Sequence, residues 1–351
     1  MRRRNAFIPA VIGTLLSLLA TPAHAASRSY IALGDSYSSG LGSRDYYFDG
    51  TRCFRSPKTY GALIATSYGL DLTLVACAGA KTADVVNKQV SSLNTETGYA
   101  SITVGGNDVG FSSVLTECAM PGWLSNCNGA IDGGLKIMRN ELPGRLTNML
   151  ATIKSQAPNA RVVLAGYPHI FNGQDCHPAT FFSAREEQRL NDATDELNTL
   201  LRTKVADAGM NFVNPVPSFW GHAVCDDPEW INGLSFPIEN SFHPNTRGYR
   251  AYARLVGPAL VGSDFRLSVD ADRRQSIALV KLPRGTTSSG SFEFKVPDLN
   301  TARAERAARK AGITTAELDQ LRRAQRNGAS NAALERLDER ITEKAAQRRG
   351  R

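Results

Sequence analysis

Four short segments hold residues whose types together suit nucleophilic catalysis. They are Gly34-Asp-Ser36, Gly79 within Ala76-Cys-Ala-Gly-Ala80, Asn107 within Gly105-Gly-Asn-Asp108, and His243 within Ser241-Phe-His-Pro-Asn245. A serine hydroxyl becomes a nucleophile when a positioned base takes its proton and N–H donors hold the oxyanion that forms. Ser36 with His243 would supply the nucleophile and base, and Gly79 with Asn107 would supply donors.

Each of these residues also has a common structural role. A lone serine after Gly-Asp caps a helix, a lone Asn in a Gly-Gly-Asn-Asp turn is a turn residue, and a lone histidine is more often structural. The four occur in order along the chain, each in a separate loop. The occurrence of all four together favours one shared site over four unrelated turns.

The elements that must position these loops alternate in type between residues 28 and 262. Short β-rich apolar runs predict strands at 30–33, 72–76, 101–104, 161–165 and 211–213. Longer periodic stretches predict helices near 58–68, 82–92, 134–157, 183–208 and 246–261. This alternation predicts an α/β fold, a three-layer α/β/α sandwich with a central parallel sheet, whose ligands bind beyond the carboxyl ends of the strands. Two further segments, 118–127 and 170–177, are predicted to be loops at the rim of the site.

The four segments resemble the conserved blocks of the SGNH, or GDSL, hydrolase family. The stretches from Gly34 to Gly42 and from Ser241 to Gly248 are most similar to secreted actinobacterial lipases, esterases and phospholipases. The resemblance covers about residues 28–262 and implies a flavodoxin-like fold and a carboxylic ester hydrolase with no cofactor or metal.

The resemblance also implies a role for each residue of the four segments. Ser36 would attack the ester carbonyl and His243 would be the general base. The backbone N–H groups of Ser36 and Gly79 and the side-chain amide of Asn107 would form the oxyanion hole.

One position departs from the family pattern. Many members have Asp three residues before the histidine, where this chain has Asn240. A neutral amide cannot stabilise an imidazolium as a carboxylate does. In the secreted actinobacterial branch a backbone carbonyl orients the histidine, so we expect the carbonyl of Ser241 to accept the Nδ1 proton. The side-chain oxygen of Asn240 and the carboxylate of Glu239 are the alternatives.

The first 25 residues are typical of a secretory signal peptide. Three arginines precede an apolar run over residues 6–20, and small residues at Ala23 and Ala25 suit cleavage. A membrane anchor is the alternative, but Pro9 interrupts a run that is shorter than the ~20 residues of a spanning helix. We therefore expect a secreted, extracellular protein.

The cysteine content fits an exported protein. Six cysteines favour three disulfides, and sequence alone allows fifteen connectivities. A zinc site is the alternative, but no pair has the spacing of a zinc knuckle. The simplest connectivity joins neighbours along the chain, namely Cys53–Cys77, Cys118–Cys127 and Cys176–Cys225.

The net charge of +8 is concentrated at the two ends of the chain. Residues 301–351 hold thirteen Lys and Arg against seven Asp and Glu, so residues 26–300 are close to neutral. This distribution argues against nucleic-acid binding by the catalytic body.

We divide the chain into a signal peptide (1–25), a catalytic domain (26–262), a β-hairpin extension (263–300) and a basic helical, partly mobile tail (301–351). The hairpin is predicted from alternating runs at 276–282 and 291–296. We hypothesise weak contact of the tail with an anionic wall or membrane surface, a solvated appendage being the alternative.

The substrate expectation is a lipid or other ester with a fatty acyl chain, bound by a monomer. Apolar residues of the two insertions favour an acyl-chain site, with burial in loop core as the alternative. These residues are Met120, Trp123, Leu124, Phe171, Phe181 and Phe182. A carbohydrate O-acyl esterase and an inert surface-binding protein are the rival functions.

Overall fold

A six-stranded parallel sheet forms the centre of the protein, as seen in a computed structural model that describes residues 27–177, 180–271, 278–279, 294–327 and 331–349. The strand order is β5-β4-β3-β1-β2-β6, and all neighbours run parallel. The strands are β1 Ser29–Gly34, β2 Asp71–Leu74, β3 Tyr99–Thr103, β4 Arg161–Ala165, β5 Asn211–Val213 and β6 Ala278–Leu279. The predicted signal peptide lies outside the described residues.

Helices cover both faces of this sheet. Those of residues 27–262 are α1 Ser36–Ser39, α2 Tyr60–Tyr68, α3 Thr82–Asp84, α4 Phe111–Cys118, α5 Cys127–Asn140, α6 Leu142–Gln156, α7 Ala184–Asp207, α8 Val216–Phe219 and α9 Thr246–Val261. Helices α2 and α9 pack together on one side, whereas α5, α6 and α7 pack against one another on the other. The predicted three-layer α/β/α arrangement is therefore confirmed.

Several predicted helix boundaries were wrong. The helix predicted at 134–157 is two helices, α5 and α6, which break at Glu141 just before Pro143 in the first turn of α6. Proline fits a first turn because its missing N–H has no partner there anyway. The segment predicted at 82–92 is only briefly α-helical and continues as a π-helix, Val85–Gln89, and a 3₁₀ turn, Val90–Ser92.

The segment 118–127, predicted as a loop, is largely the junction of two helices. Cys118 ends α4 and Cys127 begins α5, which leaves only residues 119–126 irregular. Helix α4 follows Gly110 in a left-handed conformation and was not predicted. Its short pattern in a Gly- and Ser-rich context gives little periodic signal.

The C-terminal extension differs in part from the prediction. Of the predicted hairpin, Ala278–Leu279 is β6, which pairs in parallel with β2, and residues 294–296 are described without a strand. Residues 272–277 and 280–293 lie outside the described residues. The tail contains α10 Ala302–Lys310, α11 Thr315–Arg326 and α12 Asn331–Arg349.

The tail helices form a second small core with residues 120–124. Leu124 is buried among their apolar side chains, and Met120 and Trp123 pack against the same cluster. Trp123 Nε1 donates to the carboxylate of Asp338 at 2.9 Å. None of the described helices is long and apolar enough to cross a membrane.

Three disulfides cross-link segments that follow the strands of the sheet. They are Cys53–Cys77, Cys118–Cys127 and Cys176–Cys225. The first joins the loops after β1 and β2, and the last joins the segment after β4 to the segment that leads to His243. Cross-links of this kind typically stabilise by about 2–4 kcal/mol each, by restricting the unfolded chain.

Gly34 makes the turn from β1 to α1 at a position where a side chain has no room. Its φ is +116°, and a Cβ there would lie 2.3 Å from the carbonyl oxygen of Thr103 and 2.9 Å from Ser38 Oγ. Glycine therefore lets the chain leave the sheet directly beside β3.

We predict that Gly34→Ala destabilises the protein strongly. The left-handed backbone costs roughly 1–2 kcal/mol and overpacking against Thr103 adds roughly 1–3 kcal/mol. Urea unfolding measures the loss. Gly69→Ala is the matched control, because Gly69 has φ +72° but its Cβ would meet only Arg28 at 3.8 Å. Equal losses for both variants would show that the contact with Thr103 is unimportant.

Candidate active site

Ser36 is the first residue of α1, at the carboxyl end of the central strand β1. Asp35 caps the helix by accepting from the Tyr37 N–H at 3.0 Å, and its carboxylate also accepts from Thr103 Oγ1 at 2.6 Å and from the Tyr167 hydroxyl. Burial raises the pKa of Asp35 to about 6, against these hydrogen bonds. The Gly-Asp-Ser segment is thus held from β3 and from the loop after β4.

His243 lies directly beside this serine. Its Nε2 is 2.8 Å from Ser36 Oγ, and its Nδ1 is 2.8 Å from the carbonyl oxygen of Ser241. A carbonyl can only accept, so Nδ1 carries the proton and Nε2 is free to accept the serine proton. Burial lowers the pKa of His243 to about 4, although the backbone groups of Ser241 and Glu239 oppose this shift.

The alternative orienting groups make other contacts. The side-chain oxygen of Asn240 accepts from the Tyr46 hydroxyl, and the Glu239 carboxylate lies 3.8 Å from Arg52. The hydrogen bond to His243 Nδ1 therefore favours the Ser241 carbonyl as the orienting group over the Asn240 amide and the Glu239 carboxylate.

Asn232 holds the loop that carries His243 through hydrogen bonds, and the sequence analysis did not identify it. Its Nδ2 lies 3.0–3.2 Å from the carbonyl oxygens of Gly42, Asn240 and His243. Asn232 is not near a motif, so only its buried contacts identify it. Tyr167, which holds Asp35, was also missed, although it lies two residues after β4, at the edge of the sheet where the site was expected.

The predicted oxyanion donors follow the next two strands. Gly79 has φ +78°, and neither its N–H nor that of Ser36 donates to an acceptor among the described residues. Asn107 Nδ2 donates one hydrogen to the Ala80 carbonyl at 3.1 Å, which orients the amide. Its second hydrogen remains for a bond to an oxyanion. The carboxylate of Asp108 accepts from the Thr82 N–H and hydroxyl and so joins the two loops.

A mostly apolar cavity opens from Ser36 between α4, α5 and α7. Its apolar lining includes Val109, Phe111, Val114, Ile131, Leu135, Met138, Ile170, Leu190 and Leu197. None of the six insertion residues predicted to form an acyl-chain site lines it.

Five of these six residues pack elsewhere, as the loop-core alternative expected. Met120, Trp123 and Leu124 pack against the tail helices, and Phe171 and Phe182 are buried in the main core. Within the part of the chain that is described, no cluster of His, Cys, Asp and Glu suits a metal ion.

We predict that Asn240→Ala keeps the reactivity of Ser36. If the Ser241 carbonyl orients His243, removing the Asn240 side chain leaves the hydrogen bond to Nδ1 in place. The rate of covalent labelling of Ser36 by a serine-directed phosphonate should stay within about threefold of wild type, whereas His243→Ala should nearly abolish it. Loss of labelling in folded Asn240→Ala would instead assign the orienting role to the amide.

We predict an unusually low pH limit for the same labelling reaction. As the expected base, His243 would accept the serine proton only while neutral, and its pKa is lowered to about 4. The labelling rate should stay constant from about pH 8 to about pH 5 and halve near pH 4. Because Asp35 also titrates, at about 6, the Asp35→Asn variant serves as control and should keep the low half-point. A half-point near the usual histidine value of 6.5 would contradict the role of burial.

Comparison with known proteins identifies the family. Residues 32–251 match the model of the GDSL-like Lipase/Acylhydrolase family. A lipase from Streptomyces rimosus is 38% identical over 221 residues, which cover 62% of this chain and 81% of that protein. Lipase 1 of Streptomyces coelicolor is 36% identical, and the match covers 68% of this chain and 88% of that protein.

Solved structures agree with this assignment. The extracellular lipase from Streptomyces rimosus superimposes with a TM-score of 0.62 at 36% identity, covering 66% of this chain and 99% of that one. Phospholipase A1 from Streptomyces albidoflavus NA297 superimposes with a TM-score of 0.62 at 35% identity. The match covers 67% of this chain and 98% of that one. The chain belongs to the GDSL-like lipase/acylhydrolase family and is a carboxylic ester hydrolase.

Proposed function

We propose that this hydrolase cleaves esters of fatty acyl chains through an acyl-enzyme on Ser36. The observation that carries the proposal is the 2.8 Å contact between Ser36 Oγ and His243 Nε2 at the mouth of an apolar cavity. A paired nucleophile and base supply the chemistry, and the cavity supplies a site for the acyl chain.

The mechanism follows from the hydrogen bonds around the two residues. Ser36 Oγ attacks the ester carbonyl carbon as His243 Nε2 takes its proton, and the oxyanion is held by N–H donors of Ser36, Gly79 and Asn107. Collapse breaks the bond to the alcohol, which leaves with the proton from Nε2. Water then attacks the acyl-enzyme with the same base, which releases the acid and restores the serine.

The imidazolium formed in each step is stabilised by a backbone carbonyl. The Ser241 carbonyl dipole faces Nδ1, so the machinery is a Ser-His dyad without a carboxylate on the histidine. A dipole stabilises a cation less than a full negative charge does. The short, buried contact and the fixed tautomer compensate in part by orienting the ring before reaction.

The cavity favours acyl chains over carbohydrate O-acyl groups as substrates. Its walls are largely aliphatic and aromatic side chains, whereas a sugar site needs convergent polar groups. A structural relative is a phospholipase A1, which makes phospholipid acyl esters a further candidate substrate. Triglycerides and phospholipids present the same acyl ester to Ser36.

We also propose that the protein is secreted, with residues 1–25 removed and residues 26–262 forming the catalytic domain. The three disulfides suit an oxidising compartment, and a structural relative is an extracellular lipase. Amino-terminal sequencing of the exported protein tests the cleavage near Ala25.

We predict that Ala193→Phe shortens the preferred acyl chain. Ala193, on α7, lines the cavity, and a phenyl ring there would occupy space that a long chain needs. With p-nitrophenyl esters from acetyl to palmitoyl, kcat/KM for the longest chains should fall roughly tenfold or more while that for acetyl changes little. The control is Ala206→Phe, an exposed site on the same helix.

The same panel tests the function itself. Ser36→Ala should lose activity on every ester, and wild type should prefer chains longer than acetyl. A preference confined to acetyl would favour the O-acyl esterase alternative. Unchanged profiles for Ala193→Phe would place the acyl chain outside this cavity.

We further propose that the tail binds anionic lipid surfaces weakly. Residues 301–351 carry thirteen basic and seven acidic residues, and Arg306, Arg309 and Lys310 of α10 are exposed. Basic residues near an anionic membrane each contribute about 1 kcal/mol, and salt screens the attraction.

We predict that replacing these three basic residues of α10 with Glu reduces cosedimentation with phosphatidylglycerol vesicles at low salt. The control variant carries three exposed replacements on the catalytic body, Lys136→Glu, Arg161→Glu and Arg202→Glu, and so has the same net charge. Equal loss for both variants would reduce the effect to net charge. No loss for the α10 variant would leave the tail as a solvated appendage or a wall-binding segment.

A further inference from the structure

The residue before His243 has a backbone conformation that is rare for its type. Phe242 has φ +58°, in the left-handed region that bulky side chains seldom adopt. The peptide group between Ser241 and Phe242 carries the carbonyl that accepts from His243 Nδ1. The φ angle of Phe242 sets how that peptide is turned relative to the following histidine, so the left-handed value directs the carbonyl back to the imidazole.

Hydrogen bonds hold the backbone of Phe242 on both sides. Its N–H donates to the Asn232 carbonyl at 2.9 Å, and its carbonyl accepts from the Tyr37 hydroxyl at 2.9 Å. A strained conformation persists only when its surroundings over-determine it. These two bonds supply part of that restraint.

An aromatic cluster holds the ring of Phe242. The centroids of Phe171 and Phe182 each lie 6.0 Å from it, and that of Phe294 lies 5.0 Å away in an edge-to-face arrangement. Phe242 and Phe294 are 2% and 3% exposed. By centroid distance, Phe294 is the nearest of the three aromatic partners of Phe242, and its side chain is buried in the main core.

Phe294 comes from outside the catalytic region. The family match ends at residue 251, and the Streptomyces rimosus lipase structure matches 99% of its own chain with only 66% of this one. The segment is fixed on α4, because the Lys295 N–H donates to Thr116 Oγ1 at 3.1 Å. Further along, Arg303 pairs with Glu117 at 2.7 Å.

We propose that Phe294 is a positioning residue for His243. By packing on Phe242, it helps to keep the Ser241 carbonyl turned toward Nδ1, so the C-terminal extension takes part in holding the catalytic base. This role rests on the proposed function of His243 as the base for Ser36.

The test is steady-state hydrolysis of p-nitrophenyl butyrate by Phe294→Ala, with each preparation standardised by phosphonate titration of Ser36. A misplaced base slows proton transfer without altering substrate binding. We expect kcat per titrated site to fall roughly tenfold, since small displacements of reacting groups can cost up to 100-fold, while KM stays within about twofold. Phe294→Leu, which keeps an apolar side chain on Phe242, should restore most of the rate.

Phe265→Ala is the matched control for loss of core packing. Phe265 also follows α9, is 5% exposed and packs beside Gly257 in the C-terminal half of that helix. It should lower the melting temperature as Phe294→Ala does but keep the wild-type kcat per titrated site. A wild-type kcat in Phe294→Ala, or an equal loss of kcat in Phe265→Ala, would overturn the proposal. Failure of wild type to be titrated at Ser36 would instead refute the proposed function.

Discussion

The hydrogen bond from His243 Nδ1 to the carbonyl of Ser241 is the contact on which the proposed chemistry depends. It fixes the tautomer, so Nε2 faces Ser36 Oγ as an acceptor. A backbone carbonyl cannot rotate into place as a side chain does, so the whole loop must hold it. Asn232 binds three carbonyls of this region, and the left-handed Phe242 turns the peptide.

The parallel sheet brings the other groups to the same place. Ser36, Gly79 and Asn107 follow three adjacent strands, β1, β2 and β3, whose carboxyl ends meet at one edge. Gly34 permits the close passage of the first loop beside β3. Disulfides then fix the surrounding loops, so the three groups proposed as oxyanion donors are held in place before a substrate arrives, as electrostatic stabilisation of an oxyanion requires.

Local patterns allowed much of this site to be predicted. Gly-Asp-Ser after an apolar run, Gly-Gly-Asn-Asp after another and His243 before the last helix of the catalytic region each leave a signal within a few residues. The strands Arg161–Ala165 and Asn211–Val213 have the predicted bounds for the same reason. Long-range packing left no such signal. The cavity is formed by α4, which was not predicted, and by parts of α5 and α7, while Trp123 is covered by helices that lie far along the chain.

The most direct test of the account is a crystal structure of the enzyme treated with a long-chain alkyl phosphonate ester. We expect phosphorus bonded to Ser36 Oγ and the phosphoryl oxygen within about 3 Å of the Ser36 and Gly79 N–H groups and the Asn107 amide. The alkyl chain should lie in the cavity between α4, α5 and α7, with His243 Nδ1 still bound to the Ser241 carbonyl. An adduct on another residue, or a phosphoryl oxygen directed away from these donors, would contradict the account.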